Sequence, residues 1–161
     1  MKKYLYIVII GLFFLTSCAK TTVNLTDYAQ VCTDANKDKE VAVKGFLQVA
    51  EKVPCLKILN PKRDCSFKFL DKVNVVGNEL IVSLPEGNGK NEVETPEFSN
   101  PPKPTSIFTR DQVKIHLNDG TIITPQADIA TPAIVTGKVY LRDEAGQKKC
   151  SIDAIKVEKS E

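Results

Sequence analysis

Hydrophobic and polar residues alternate along much of the chain after residue 40, and a period of two is typical of β-strands. In the first such segment Val41, Val43, Leu47 and Val49 fall on one face. The pattern predicts a mainly β fold, with strands at 41–49, 65–70, 74–76, 80–82, 113–117, 121–123, 133–141 and 150–157.

Turn-forming residues separate these segments. Asn60–Arg63, Gly77–Asn78 and Asn118–Gly120 each stand between two predicted strands, and Gly77–Asn78 fits a two-residue hairpin loop. Ahead of the strands, Thr26 is expected to cap a short helix over residues 27–33.

Residues 86–106 interrupt the strand pattern with a run rich in Gly, Asn, Glu and Pro. Such a composition does not predict a core element. Loops of this length in compact domains are usually functional or disordered, and disorder is the simpler expectation here.

The N-terminus carries a different signal. Lys2 and Lys3 precede an uncharged apolar run at 4–15, which is too short for a membrane-spanning helix but suits a signal peptide. The sequence Leu15-Thr16-Ser17-Cys18 then resembles the lipobox of bacterial lipoproteins. An ordinary secretory signal or a buried apolar strand are the alternatives.

The lipoprotein resemblance implies removal of residues 1–17 as a signal peptide and lipidation of Cys18, with palmitate as one acyl chain. Two or more acyl chains give stable membrane anchoring. Residues 18–25 would then tether a domain to the membrane. Ala19 stands where an inner-membrane retention signal would have Asp, so for a Gram-negative source the resemblance favours the outer membrane, facing the periplasm.

The net charge of the chain bears on the kind of partner it can bind. The chain has 22 basic and 20 acidic side chains, and Lys2 and Lys3 account for the excess. A mature chain of balanced charge lacks the clustered basic face that nucleic-acid binding requires. We therefore expect no nucleic-acid partner.

The cysteines predict disulfides, because an exported chain meets an oxidising compartment. With Cys18 lipidated, four cysteines remain, and they allow three connectivities. We favour Cys55–Cys65 across a local turn and Cys32–Cys150 between the ends of the domain. Zinc is the rival interpretation, but no C-x-x-C pair is present, so we expect neither a metal nor a cofactor.

An internal similarity bears on the fold. VAVKGFLQV at 41–49 and AIVTGKVYL at 133–141 align Gly45 with Gly137. Glycine within a strand often marks a bulge or bend, as small barrels require. With its bent first strand and long connection, the chain resembles an OB-fold β-barrel, and a β-sandwich is the alternative.

Candidate chemistry is sparse. The single histidine, His116, is expected on a solvent-exposed strand face, and no catalytic or nucleotide-binding motif accompanies it. Phe67, Lys68 and Phe69 could bind a flat ligand if the two rings face outward. Because both rings share a face with Cys65, the core is their favoured location.

The sequence therefore predicts a lipid-anchored, non-catalytic envelope protein with one OB-like domain at 26–158 and a tail at 159–161. It would act as a binding or assembly module for an envelope protein partner, through the 86–106 loop or an exposed strand edge. The alternative is that a soluble or glycan-like envelope ligand binds in a groove of the barrel.

Overall fold

The strand-rich architecture is described by a computed structural model for residues 23–57, 61–73, 80–99, 103–125 and 130–160. Cys18, the signal segment and the Gly77–Asn78 turn lie outside these residues. The helix α1 spans Tyr28–Val31, and short 3₁₀ turns span Asp34–Asn36 and Arg110–Gln112. The strands are β1 (Leu25–Thr26), β2 (Glu40–Gln48), β3 (Lys52–Leu56), β4 (Asp64–Leu70), β5 (Leu80–Pro85), β6 (Glu92–Glu94), β7 (Thr105–Thr109), β8 (Lys114–His116), β9 (Ile122–Ile123), β10 (Thr131–Glu144) and β11 (Gln147–Lys159).

Five of these strands close into a ring in the order β2-β4-β5-β11-β10, with β10 pairing back to β2. Only the β5–β11 pairing in the ring is parallel. Strand β1 extends the sheet beside β2, and β3 and β7 extend it beyond β4. Strands β6, β8 and β9 form a second sheet. The prediction of a mainly β fold with a short N-terminal helix is confirmed.

The core fills the ring because alternate residues of each strand point inward. On β4 these are Cys65, Phe67 and Phe69, and on β5 they are Leu80, Val82 and Leu84, all buried. Helix α1 is fixed to this core by Val31, which is fully buried in it, and by Tyr28. The Tyr28 hydroxyl donates to the Phe69 carbonyl at 2.6 Å and accepts from the Leu80 N–H at 3.3 Å.

The two glycine-containing strands, β2 and β10, pair with each other, and Ala133 lies opposite Gly45. A Cβ at Gly45 would lie 2.6 Å from the Leu70 carbonyl oxygen and 2.7 Å from the Phe69 ring. At Gly137 it would lie 2.2 Å from the Asp153 carbonyl oxygen, beside a bulge in the β10–β11 pairing. Close backbone approach therefore requires glycine at both positions.

Two local expectations are wrong. The helix is capped by Asp27, whose carboxylate accepts from the Ala29 N–H at 3.0 Å, whereas Thr26 lies in β1. The 86–106 segment also contains β6 and the start of β7, and its Val93 is fully buried against β8. A three-residue Glu-Val-Glu strand is too short to produce a periodic signal.

Both favoured disulfides are present. Cys55–Cys65 links two directly paired positions of β3 and β4, with a Cα–Cα distance of 4.0 Å. Cys32–Cys150 links the C-terminal end of α1 to β11 and closes a sequence separation of 118 residues. The first disulfide lies in the core, while the second joins elements at the surface.

A buried ion pair connects the start of β4 to the 86–106 segment. Arg63 is fully buried and binds Glu86 through two hydrogen bonds, at 2.8 Å from Nε and 2.7 Å from Nη2. Its Nη1 contacts Glu97 at 3.0 Å, and its guanidinium lies 5.4 Å from the Phe108 ring centroid. Hydrogen bonds from Ser106 and Arg63 lower the pKa of Glu97. The segment is thereby tied to the core.

The β10–β11 hairpin turn should tolerate a stabilising substitution. Ala145 and Gly146 both have positive φ, 52° and 79°, as in the two-residue turns that favour Asn-Gly. Because Asn adopts this conformation at lower cost than Ala, we expect Ala145→Asn to raise the free energy of unfolding by about 0.5–1 kcal/mol. Urea unfolding measures the change, with Gly146→Ala as the variant expected to lower stability. An unchanged or lower stability of Ala145→Asn would contradict this role of the turn.

Candidate ligand groove on the outer face of the ring

A groove of about 770 Å³ lies on the outer face of β4, β5 and β11. Helix α1, with Tyr28 and Ala29, borders it, and residues of the β10–β11 hairpin form another wall. The Cys32–Cys150 disulfide lies in the lining, so it joins α1 to the groove floor. The groove therefore depends on elements that are distant in sequence.

The floor of the groove is formed by residues that alternate with the inward core residues along each strand. Their side chains point outward because successive side chains of a strand lie on opposite faces. Ser66 lies opposite Ser83, and Ser83 lies opposite Asp153, so the three form one row across β4, β5 and β11. In the adjacent row Ile81 lies opposite Ser151. The floor thus presents hydroxyl groups and one carboxylate beside an aliphatic side chain.

The walls carry both signs of charge. Among the described lining residues, four are basic and three are acidic: Lys72, Arg142, Lys148, Lys149, Asp71, Glu144 and Asp153. Burial raises the pKa of Asp153, although Arg142 and Lys138 oppose the shift. Lys148 reaches Asp34 at 3.2 Å. The mixture favours a polar ligand over a polyanion.

The three residues predicted to bind ligand lie on opposite faces of the sheet. Phe67 and Phe69 are 2% and 0% exposed, so they belong to the core and cannot stack a ligand. Lys68 points to the outer face, in register with Ile81 of the groove. The same alternation that placed the rings inward could have identified Ser66 as a groove residue. No sequence signal marked the contributions of β11 and α1.

His116 lies elsewhere, on β8 of the second sheet. Its side chain is only 15% exposed and its Nε2 is 3.0 Å from Glu94 Oε2, so the expectation of a solvent-exposed imidazole is wrong. Hydrogen bonds from Lys114 and His116 lower the pKa of Glu94. The short strand β6 supplies this carboxylate by pairing with β8.

Comparison with protein-family models, curated proteins and solved structures gives no match for this chain. None of the described helices is long and apolar enough to cross a membrane. Within the described ranges, no three His, Cys, Asp or Glu side chains come together in a way that could hold a metal ion.

Proposed function

We propose that the chain is a lipid-anchored envelope protein whose ring is of OB type and whose groove binds a glycan-like polymer. The strand connectivity carries the proposal. When the ring strands β2, β4, β5, β10 and β11 are numbered first to fifth in chain order, their order around the ring is first, second, third, fifth, fourth. The third and fifth strands are parallel. OB folds bind oligosaccharides and oligonucleotides on the face of the second and third strands, beside the fourth-to-fifth loop. Here that face is β4–β5, and that loop is the β10–β11 hairpin.

The groove chemistry favours a sugar polymer over a nucleic acid. Ser66, Ser83 and Ser151 offer hydroxyls that can both donate and accept hydrogen bonds. A polyphosphate would require a predominantly basic lining, whereas this lining mixes cations with anions. A glycan presents hydroxyl groups along its length, and it can lie across the Ser66–Ser83–Asp153 row without any aromatic stack.

The proposed anchor supports an envelope ligand. Lipidated Cys18 would hold the domain through residues 18–25, so the groove would meet polymers of the cell envelope at the membrane surface. The outer membrane facing the periplasm remains the proposed location. An envelope protein partner that contacts the 86–106 loop or an exposed strand edge is the second candidate.

The groove hypothesis predicts loss of glycan binding when the floor is filled. Ser83→Arg should reduce co-sedimentation with purified peptidoglycan sacculi by about tenfold or more, because the larger side chain occupies the middle of the Ser66–Ser83–Asp153 row. The matched control is Ser99→Arg, since Ser99 is exposed and does not line the groove. Urea unfolding should show that both variants fold.

Either of two results would contradict the proposal. One is the absence of saturable binding of the native protein to the sacculi. The other is an equal loss of binding in both arginine variants, because a nonspecific charge effect would then explain it.

A further inference from the structure

Strand β7 ends the eight-stranded sheet, and among the described residues it pairs only with β3. The Arg110 N–H donates to the Glu51 carbonyl at 3.0 Å, and the Lys57 N–H donates to the Pro104 carbonyl at 2.7 Å. The backbone N–H and C=O groups of successive residues point to opposite sides of an antiparallel strand. These two bonds therefore show which residues of β7 face β3. Thr105 and Ile107 therefore direct their N–H and C=O groups toward the open edge.

The edge is unusually well suited to pairing. Natural edge strands are protected by lysine, proline, bulges or inward-pointing charges. Strand β7 reads Thr-Ser-Ile-Phe-Thr and contains none of these residues, and its central Ile107 is 64% exposed. It is also held rigidly, because Ser106 hydrogen-bonds Arg63 and Glu97 and Phe108 packs in the core. A preformed strand loses little entropy when another strand joins it.

We propose that the partner of β7 is β7 of a second copy of this chain, paired antiparallel about a twofold axis at Ile107. A twofold interface requires a self-complementary surface. In this register Ile107 faces its own equivalent, and each Ile107 N–H donates to the opposite Ile107 carbonyl. Thr105 faces Thr109 of the other copy. The Thr109 N–H already donates to Gln112 at 3.0 Å, but its carbonyl can accept from Thr105.

Charge supports the antiparallel pairing. It places the N-terminal end of each β7, next to Lys103, beside the C-terminal end of the other copy, where Asp111 lies in the 3₁₀ turn at Arg110–Gln112. Both side chains belong to exposed residues in the single chain. No charged side chain lies within β7 itself, so nothing at the axis repels the second copy. The pairing also brings the two exposed Ile107 side chains into cross-strand contact, which buries part of each one.

Sedimentation equilibrium of the purified full chain in a nonionic detergent tests the proposal. We expect a reversible monomer–dimer equilibrium for the native protein and for Ile155→Lys, because Ile155 is also an exposed strand isoleucine, on β11. Ile107→Lys should raise the dimer dissociation constant by about tenfold or more, since two like charges would meet at the axis. Ile107→Pro should do the same without disturbing β3, because its lost N–H faces away from β3.

A mixing experiment tests the twofold geometry itself. Ile107→Lys and Ile107→Glu should each be monomeric alone, and an equimolar mixture should recover a dimer, because opposite charges then face each other. A native chain that stays monomeric up to about 1 mM would overturn the proposal, since any dissociation constant for the dimer would then exceed that concentration. Undiminished dimerisation of Ile107→Lys would overturn it as well.

Discussion

Replacing Arg63 with Met is expected to lower the free energy of unfolding by about 3–5 kcal/mol. The substitution removes the cation but leaves the Glu86 carboxylate, which is 3% exposed, inside the protein. Thr95 still donates a hydrogen bond to Glu86, but a hydroxyl cannot neutralise a buried charge. Urea unfolding with both disulfides intact measures the loss.

The neighbouring residue provides the matched control. Lys62 pairs with Glu92, but the Lys62 side chain is 52% exposed, so Lys62→Met should cost at most about 1 kcal/mol. The double variant Arg63→Met/Glu86→Leu should recover most of the stability, because no uncompensated charge stays buried. A double variant as unstable as Arg63→Met would show that lost packing, and not charge, causes the effect.

Long alternating segments made most of the ring predictable from the sequence. Strands β2, β4, β10 and β11 overlap the segments expected for them, because each runs for seven residues or more with one buried face. The Asn118–Gly120 turn also joins β8 and β9 as expected, and Gly120 has the positive φ of 90° that a tight turn requires.

The elements that escaped prediction lack such a signal. Strand β3 contains Pro54, and proline normally argues against a paired strand. The proline is tolerated here because the pairing between β3 and β4 covers only two residues of β3. Arg63 belongs to the turn predicted at Asn60–Arg63, and arginine is rarely buried without a partner. Its carboxylate partners lie more than twenty residues away along the chain, so local sequence could not reveal them.

The groove, too, could be predicted only in part from the local sequence. Alternation on β4 predicts that Ser66 and Lys68 point outward, but it does not say that β11 will lie parallel beside β5. That pairing, which brings Asp153 next to Ser83, is set by closure of the ring. A site built from three strands and a helix is therefore predictable residue by residue, but not as a set.

Removal of the Cys32–Cys150 disulfide is the second change that we expect to lower the free energy of unfolding strongly. Closing a loop with a sequence separation of 118 residues restricts the unfolded chain strongly, which corresponds to about 5 kcal/mol in the chain-entropy model. The same model gives about 3 kcal/mol for Cys55–Cys65, whose separation is 10 residues. Cys32→Ala/Cys150→Ala should therefore unfold at a lower urea concentration than Cys55→Ala/Cys65→Val.

The comparison also separates unfolded-state entropy from native packing. Cys55 and Cys65 are fully buried, whereas Cys32 lies at the surface, so a packing effect would rank the two variants in the opposite order. In the native state, loss of Cys32–Cys150 should leave α1 held by Tyr28 and Val31, and the α1 amides should exchange hydrogen faster. Unchanged exchange together with the reversed ranking would show that this disulfide neither limits the unfolded chain nor fixes the wall of the groove.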